Sequence, residues 1–164
     1  MQALYMNDSY LKEFTTTVKS VSNGKFVILD ETAFYPISGG QPHDIGTLTR
    51  ISDNEGFNVV YVGKFNGEIS HEVTNDNGKT LQEGDEVKGE IDWQRRYKLM
   101  RMHTASHILS AIFHSEAGAL ITGNRLDTEK SRIDFSLEDF DKERIKDYIA
   151  KANEEIRKDL PIAA

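Results

Sequence analysis

The chain of 164 residues contains no cysteine. That absence excludes disulfides, thiol nucleophiles and every thiolate metal ligand. Its first residues, Met1-Gln-Ala-Leu-Tyr-Met-Asn-Asp8, lack a basic stretch followed by an apolar one, so no secretory signal is expected. No apolar run approaches the roughly 20 residues that a membrane-spanning helix needs. Positive charge is in deficit, with 20 Lys and Arg against 27 Asp and Glu and a net charge of -7. A generic nucleic-acid coat is basic, so any RNA contact must be a local basic patch on an acidic body. Hydrophobic residues at 38% and charged residues at 29% instead fit a folded, soluble, cytoplasmic protein. The length suits one full domain or two small ones.

The first half reads as strands and turns. Phe14, Thr16 and Val18 alternate, Asn23-Gly24 marks a tight turn, and Phe26-Val-Ile-Leu29 is a short apolar run. Phe57–Val62 and Val87–Ile91 are further strand candidates, separated by turns at Asn66-Gly67 and Asn75–Gly78. Short strands at close spacing predict a small barrel-like or sandwich-like β domain. From Asp92 the pattern becomes helical. Ala119–Thr122 and Arg132–Phe135 then read as two strands. A second helix is expected from Glu138 or Asp139 to Pro161, with Ile145, Tyr148, Ile149, Ala152 and Ile156 as its core face. The boundary is expected near Gly89, dividing a β-rich domain (1–88) from an α+β domain (89–164).

His103-Thr-Ala-Ser-His107 is the segment richest in chemistry. On a helix, residues four apart are offset by roughly 40° around the axis and about 6 Å along it, so both rings can close on one metal ion. The same spacing also arises in ordinary capping or surface histidines, and the pair alone leaves both readings open. Leu99, Met102, Leu109 and Phe113 supply a packing stripe. A metalloprotease would carry glutamate directly after the first histidine. Thr104 stands there instead, which argues against peptide hydrolysis by that route. His114 lies too far along the helix to share an ion, and His71 has no motif around it.

A second segment runs from Thr32 to Gly46. Gly39 and Gly40 permit close backbone approach to a phosphate, ribose or carbonyl oxygen, or simply form a sharp loop. Thr32, Ser38, Gln41, His43 and Asp44 surround them with hydrogen-bonding groups, as a site wall would. Arg95, Arg96, Lys98 and Arg101 form the densest basic run. A helix cannot present all four on one face, so solvation competes with contact to an RNA end.

Together, Thr32-Ala-Phe-Tyr-Pro36, Ser38-Gly-Gly-Gln-Pro-His-Asp44, Asp92-Trp93 with Arg95-Arg-Tyr97, His103–His107 and Ser131-Arg-Ile-Asp-Phe135 resemble the editing domain of alanyl-tRNA synthetase and the freestanding AlaX trans-editing proteins, in particular their medium-length class. The resemblance runs from about Tyr10 to Ile162. It implies an α+β fold: a small β-barrel-like N-terminal domain followed by an α+β domain like the threonyl/alanyl-tRNA synthetase editing fold. It also implies hydrolysis of the ester joining serine, or glycine, to tRNA(Ala). Zinc would be held by His103 and His107 together with a later Cys-x-x-x-His segment. This chain has no cysteine and stops at Ala164. The expectation is therefore an incomplete second domain with two of the zinc ligands, apolar surface left open to self-association, and a choice between a deacylase and a metal-free module that holds the acceptor end. An unrelated two-histidine metallohydrolase is disfavoured, because no Glu or Asp lies near the pair in its helix. Thr32 and Gln41 are the candidate catalytic side chains, Thr32 matching a family threonine that can bond the serine hydroxyl. Thr32, Ser38, Gly39, Gly40, Arg95, Arg96 and Arg101 are the candidates for binding the tRNA acceptor end.

Overall fold

A computed structural model describes residues 2–137 and 141–162. In chain order its elements are β1 (Gln2–Ala3), β2 (Glu13–Ser22), β3 (Phe26–Leu29), β4 (Glu31–Thr32), β5 (Gly46–Arg50), β6 (Gly56–Phe65), β7 (Glu68–Thr74), β8 (Glu86–Ile91), α1 (Trp93–Ala117), β9 (Ile121–Arg125), β10 (Arg132–Phe135) and α2 (Lys142–Arg157). The chain divides into two units, 1–97 and 98–164, and α1 begins in the first and continues in the second. The fold class is α+β. Among the described residues no helix is long and apolar enough to cross a membrane.

Six antiparallel strands close a barrel in the order β2-β3-β7-β6-β5-β8, and β8 returns to pair with β2. Closure leaves no free sheet edge and sends alternate side chains inward. Phe14, Thr16 and Val18 of β2 are buried while Glu13, Thr15 and Lys19 are exposed, the alternation expected from the sequence. β5 and β7 were not among the expected strands. β7 reads Glu-Ile-Ser-His-Glu-Val-Thr, and its inward set of Ile69, His71 and Val73 includes a histidine that breaks the apolar pattern. β1 and β4 add a short parallel pair, Gln2 opposite Glu31 and Ala3 opposite Thr32.

The boundary expected at 88/89 falls inside β8, which pairs with both β2 and β5. Gly89 belongs to the barrel rather than to a linker. It lies opposite Phe14, and a Cβ there would come within 2.4 Å of the Phe14 ring, so the phenyl fills the room that glycine leaves.

In the second unit, β9 and β10 form a two-stranded antiparallel sheet. β10 has the expected bounds, while β9 starts two residues later than expected, after buried Ala119 and exposed Leu120. The small core is built on Phe113 of α1. Its ring stacks on Phe135 at 4.2 Å and meets Tyr148 of α2 edge-on at 5.2 Å. Asp141 caps α2 by accepting the Glu143 N–H at 2.9 Å. The helix start expected at 138 or 139 lies outside the described residues. The helix ends at Arg157, short of Pro161, where Lys158 and Asp159 still donate to the carbonyls of Glu155 and Ile156, and Asp159 takes a φ of 48°. Of the expected core face, Tyr148 and Ala152 are buried and Ile145 is half-buried. Ile149 and Ile156 are each 45% exposed, so they are not core.

Candidate functional site

Ser38 to Gln41 form a tight turn. The Ser38 N–H donates to the Gln41 carbonyl at 3.1 Å and the Gln41 N–H returns to the Ser38 carbonyl at 2.9 Å. Gly39 and Gly40 take φ of 57° and 79°, the paired positive values that a two-residue turn of this kind needs and that side chains resist. Ser38, Gly39 and Gly40 are exposed and Gln41 is buried. The glycines thus build a projecting turn, and their backbone is presented to solvent.

The loop behind this turn is locked by charge. Asp44 is fully buried and receives Arg96 in a fork, with Nε at 3.0 and 2.9 Å from the two carboxylate oxygens and one terminal nitrogen also on Oδ2. The remaining Arg96 donors go to the carbonyls of Ser9 at 3.0 Å and Ala33 at 2.6 Å, and Asp44 also accepts the Tyr35 N–H at 2.7 Å. With 2% of its surface exposed, Arg96 is neither the solvated cation nor the RNA contact that its place in the basic run had left open. Its guanidinium is consumed by an internal carboxylate, which is how a buried charge becomes tolerable. Arg95 remains half-exposed, donating from Nε to the His43 carbonyl at 3.3 Å, and its N–H meets the Asp92 carboxylate that caps α1. Arg101 is exposed.

Thr32 is fully buried. Its hydroxyl oxygen accepts the Phe34 N–H at 3.1 Å and lies 2.9 Å from Nε2 of His71. The other ring nitrogen of His71 is 3.0 Å from the Val27 carbonyl, which can only accept. Nδ1 therefore carries the proton, Nε2 is the acceptor, and the Thr32 hydroxyl donates to it. Burial pushes the His71 imidazole down to about 4, which keeps this neutral tautomer. A substrate hydroxyl at Thr32 would have to displace one of these bonds. The sequence reading left His71 without a role. Its place as the second inward position of β7 was the available signal, since an inward histidine needs polar partners.

His43 donates from Nε2 to the Val60 carbonyl at 3.1 Å and packs on Tyr61 at 4.7 Å. Burial lowers its pKa. Its buried Nδ1 has no hydrogen-bond partner among the described residues.

On α1, the rings of His103 and His107 stack with centroids 4.9 Å apart and planes 21° apart, so the two face each other on one side of the helix. The rings are near enough that, after a change of rotamer, both could reach one ion with bonds of about 2 Å. Burial, and secondarily the neighbouring His107, lower the pKa of His103 and favour the neutral imidazole that ligates metals. Ser106, buried between them in sequence, turns its hydroxyl back onto the His103 carbonyl at 2.7 Å. A catalytic zinc needs three or more protein ligands. Among the described residues no group of three His, Cys, Asp or Glu forms, so the pair does not by itself complete a zinc site.

A family model described as "tRNA synthetases class II (A)" matches residues 3–95. An alanyl-tRNA editing protein AlaX-M from Methanosarcina barkeri is 54% identical over 98% of this chain and 67% of its own length. One from Methanosarcina mazei is 56% identical over 93% of this chain and 62% of its own length. An alanine–tRNA ligase from Pyrobaculum neutrophilum is 38% identical over 98% of this chain and 18% of the ligase. The chain spans about two thirds of the length of these AlaX-M relatives. On this similarity, running through barrel, turn and histidine helix alike, the chain belongs to the family of AlaX proteins and alanyl-tRNA synthetase editing domains.

Proposed function

We propose that the chain acts in alanyl-tRNA editing, in the cytoplasm, by hydrolysing the ester between serine and the acceptor end of tRNA(Ala). The observation that carries this reading is the stacked His103–His107 pair on α1, in a chain 54% identical to a protein named for alanyl-tRNA editing. An aminoacyl ester is already activated, so the protein has only to hold the ester, admit a water and stabilise the developing oxyanion. Ser38 and the exposed backbone of Gly39 and Gly40 are the polar surface offered to the acceptor end, and Arg95 and Arg101 supply cations for its phosphates. Gln41 supports the turn through its backbone bonds to Ser38. Thr32 is a positioning residue: through the Phe34 N–H it holds the start of the loop that carries the turn. In this role Thr32→Val lowers hydrolysis of Ser-tRNA and Gly-tRNA alike, whereas a Thr32 that bonds the serine hydroxyl would affect Ser-tRNA more.

Zinc, when bound, would polarise a carbonyl or water or hold the substrate amine, and His103 and His107 would be two of its ligands. The exposed Ser38–Gly40 turn, with Arg95 and Arg101, would equally serve a second reading, a module that binds the acceptor end without turnover. Single-turnover deacylation of Ser-tRNA(Ala), with and without added zinc and with metal analysis on the same sample, separates the two. Zinc-stimulated release of serine that is lost in His103→Ala supports the deacylase. Binding of tRNA with no release under either condition overturns it in favour of the module.

A further inference from the structure

Where the barrel gives way to α1, three aromatic rings stand together. Trp93 stacks on Tyr97 one turn along the helix, at 5.7 Å and 25°. Trp93 also meets Tyr10 at 5.6 Å and 48°. The Lys12 ammonium lies over the indole at 4.9 Å from the ring centroid. Tyr10 and Tyr97 nevertheless remain 59% and 42% exposed.

The cluster is held from below. Arg96 donates to the Ser9 carbonyl at 3.0 Å, and the Ile91 N–H donates to the Lys12 carbonyl at 2.9 Å, so the segment carrying Tyr10 and Lys12 is fastened to the end of β8 and the first turn of α1. None of these residues belongs to the turn or the histidine pair, and core packing does not account for exposed rings. Exposed aromatic rings beside a cation are what an unpaired nucleobase recognises, the base stacking on a ring and its phosphate meeting the ammonium.

We infer that Tyr10, Trp93 and Tyr97, with Lys12, form a stacking platform for unpaired nucleotides of the RNA substrate. The inference rests on the proposed tRNA reading for its choice of partner, but it concerns binding alone. Its test is fluorescence anisotropy with a labelled single-stranded RNA ending in CCA. Trp93 is the chain's only tryptophan, so its emission reports on the same patch. Tyr10→Leu with Tyr97→Leu should weaken binding by about tenfold for each stacked base lost, whereas Tyr10→Phe with Tyr97→Phe should stay within about twofold of the parent, because the π faces persist. Lys12→Gln should shallow the salt dependence by about one phosphate contact. Parent-like affinity in the leucine variant, with an unchanged thermal midpoint, overturns the platform, as does absence of RNA binding by the parent chain. Failure of the chain to hydrolyse Ser-tRNA would defeat the deacylase reading and leave this binding result standing.

Discussion

The Thr32 hydroxyl is hydrogen-bonded to the buried His71 imidazole, and the burial of that imidazole makes the fold sensitive to acid. In the folded state the buried His71 titrates at about 4, while an unfolded histidine titrates near the ordinary 6.5. Between those values the unfolded chain binds more protons than the folded one. Stability is therefore full above about pH 6.5 and is lost as pH falls toward 4, by about 3 kcal/mol at most from this residue. Urea unfolding at neutral pH and near pH 5 should show the decline, and Thr32→Val should lower stability at both. Removing the hydroxyl leaves the Phe34 N–H without its acceptor and the His71 Nε2 without its donor, a loss of about 1–3 kcal/mol. Equal stability of Thr32→Val and the parent would mean that the network carries no weight. The family motif made Thr32 legible in the sequence, but not its direction. A lone histidine in a seven-residue strand gives no pattern until the strand's inward parity is known.

Among the elements, the loop from Ala33 to Asp44 is tied to the first turn of α1 by the Asp44–Arg96 ion pair, beside hydrogen bonds from Arg95 and Arg96 to loop carbonyls. Replacing Arg96 by Met would leave the Asp44 carboxylate buried without its cation and should cost about 3–5 kcal/mol. Combining that change with Asp44→Asn should recover much of the loss, because the uncompensated charge is gone. Chemical denaturation of the two single variants and the double variant measures the coupling, and purely additive losses would refute the clamp. The basic run 95–101 read as four surface cations because composition along a helix does not say which residue meets a carboxylate 52 positions away. Elements with strong local signals were legible: the alternation of β2, the run of β3, the helix that holds the histidines, and the turn at Gly39-Gly40, whose positive φ values only glycine meets cheaply. β5 was not. Gly-Thr-Leu-Thr-Arg is a strand because β6 and β8 pair with it on both sides, and that condition is not local.

For the molecule as a whole, the two units differ in how much they bury. Among the described residues the barrel packs fifteen buried hydrophobic residues in one cluster, from Phe14 to Ile91, while the second unit's cluster holds Phe113, Ala119 and Tyr148. The second unit also exposes Leu120, Ile121, Ile149, Ile156, Leu160 and Ile162 by 42–77%. For Ile149 and Ile156 the even spacing of apolar residues along α2 hid this in the sequence, because periodicity marks a face without saying whether anything covers it. A two-stranded sheet is marginal by itself, so β9 and β10 depend on the Phe113–Phe135 stack and on α2. Local opening should follow that inequality. In native-state hydrogen exchange, the amides of β9, β10 and α2 should exchange through openings of lower free energy than those of β2, β3, β6 and β7. Phe135→Ala, which removes the stacked ring, should cost about 3–5 kcal/mol within the second unit and leave the protection of the barrel strands unchanged. Protection that is uniform across both units, or that falls in the barrel as far as in β9 and β10 when Phe135 is removed, would mean that the two units fold as one cooperative body, and the weak core of the second would then be stabilised by the first.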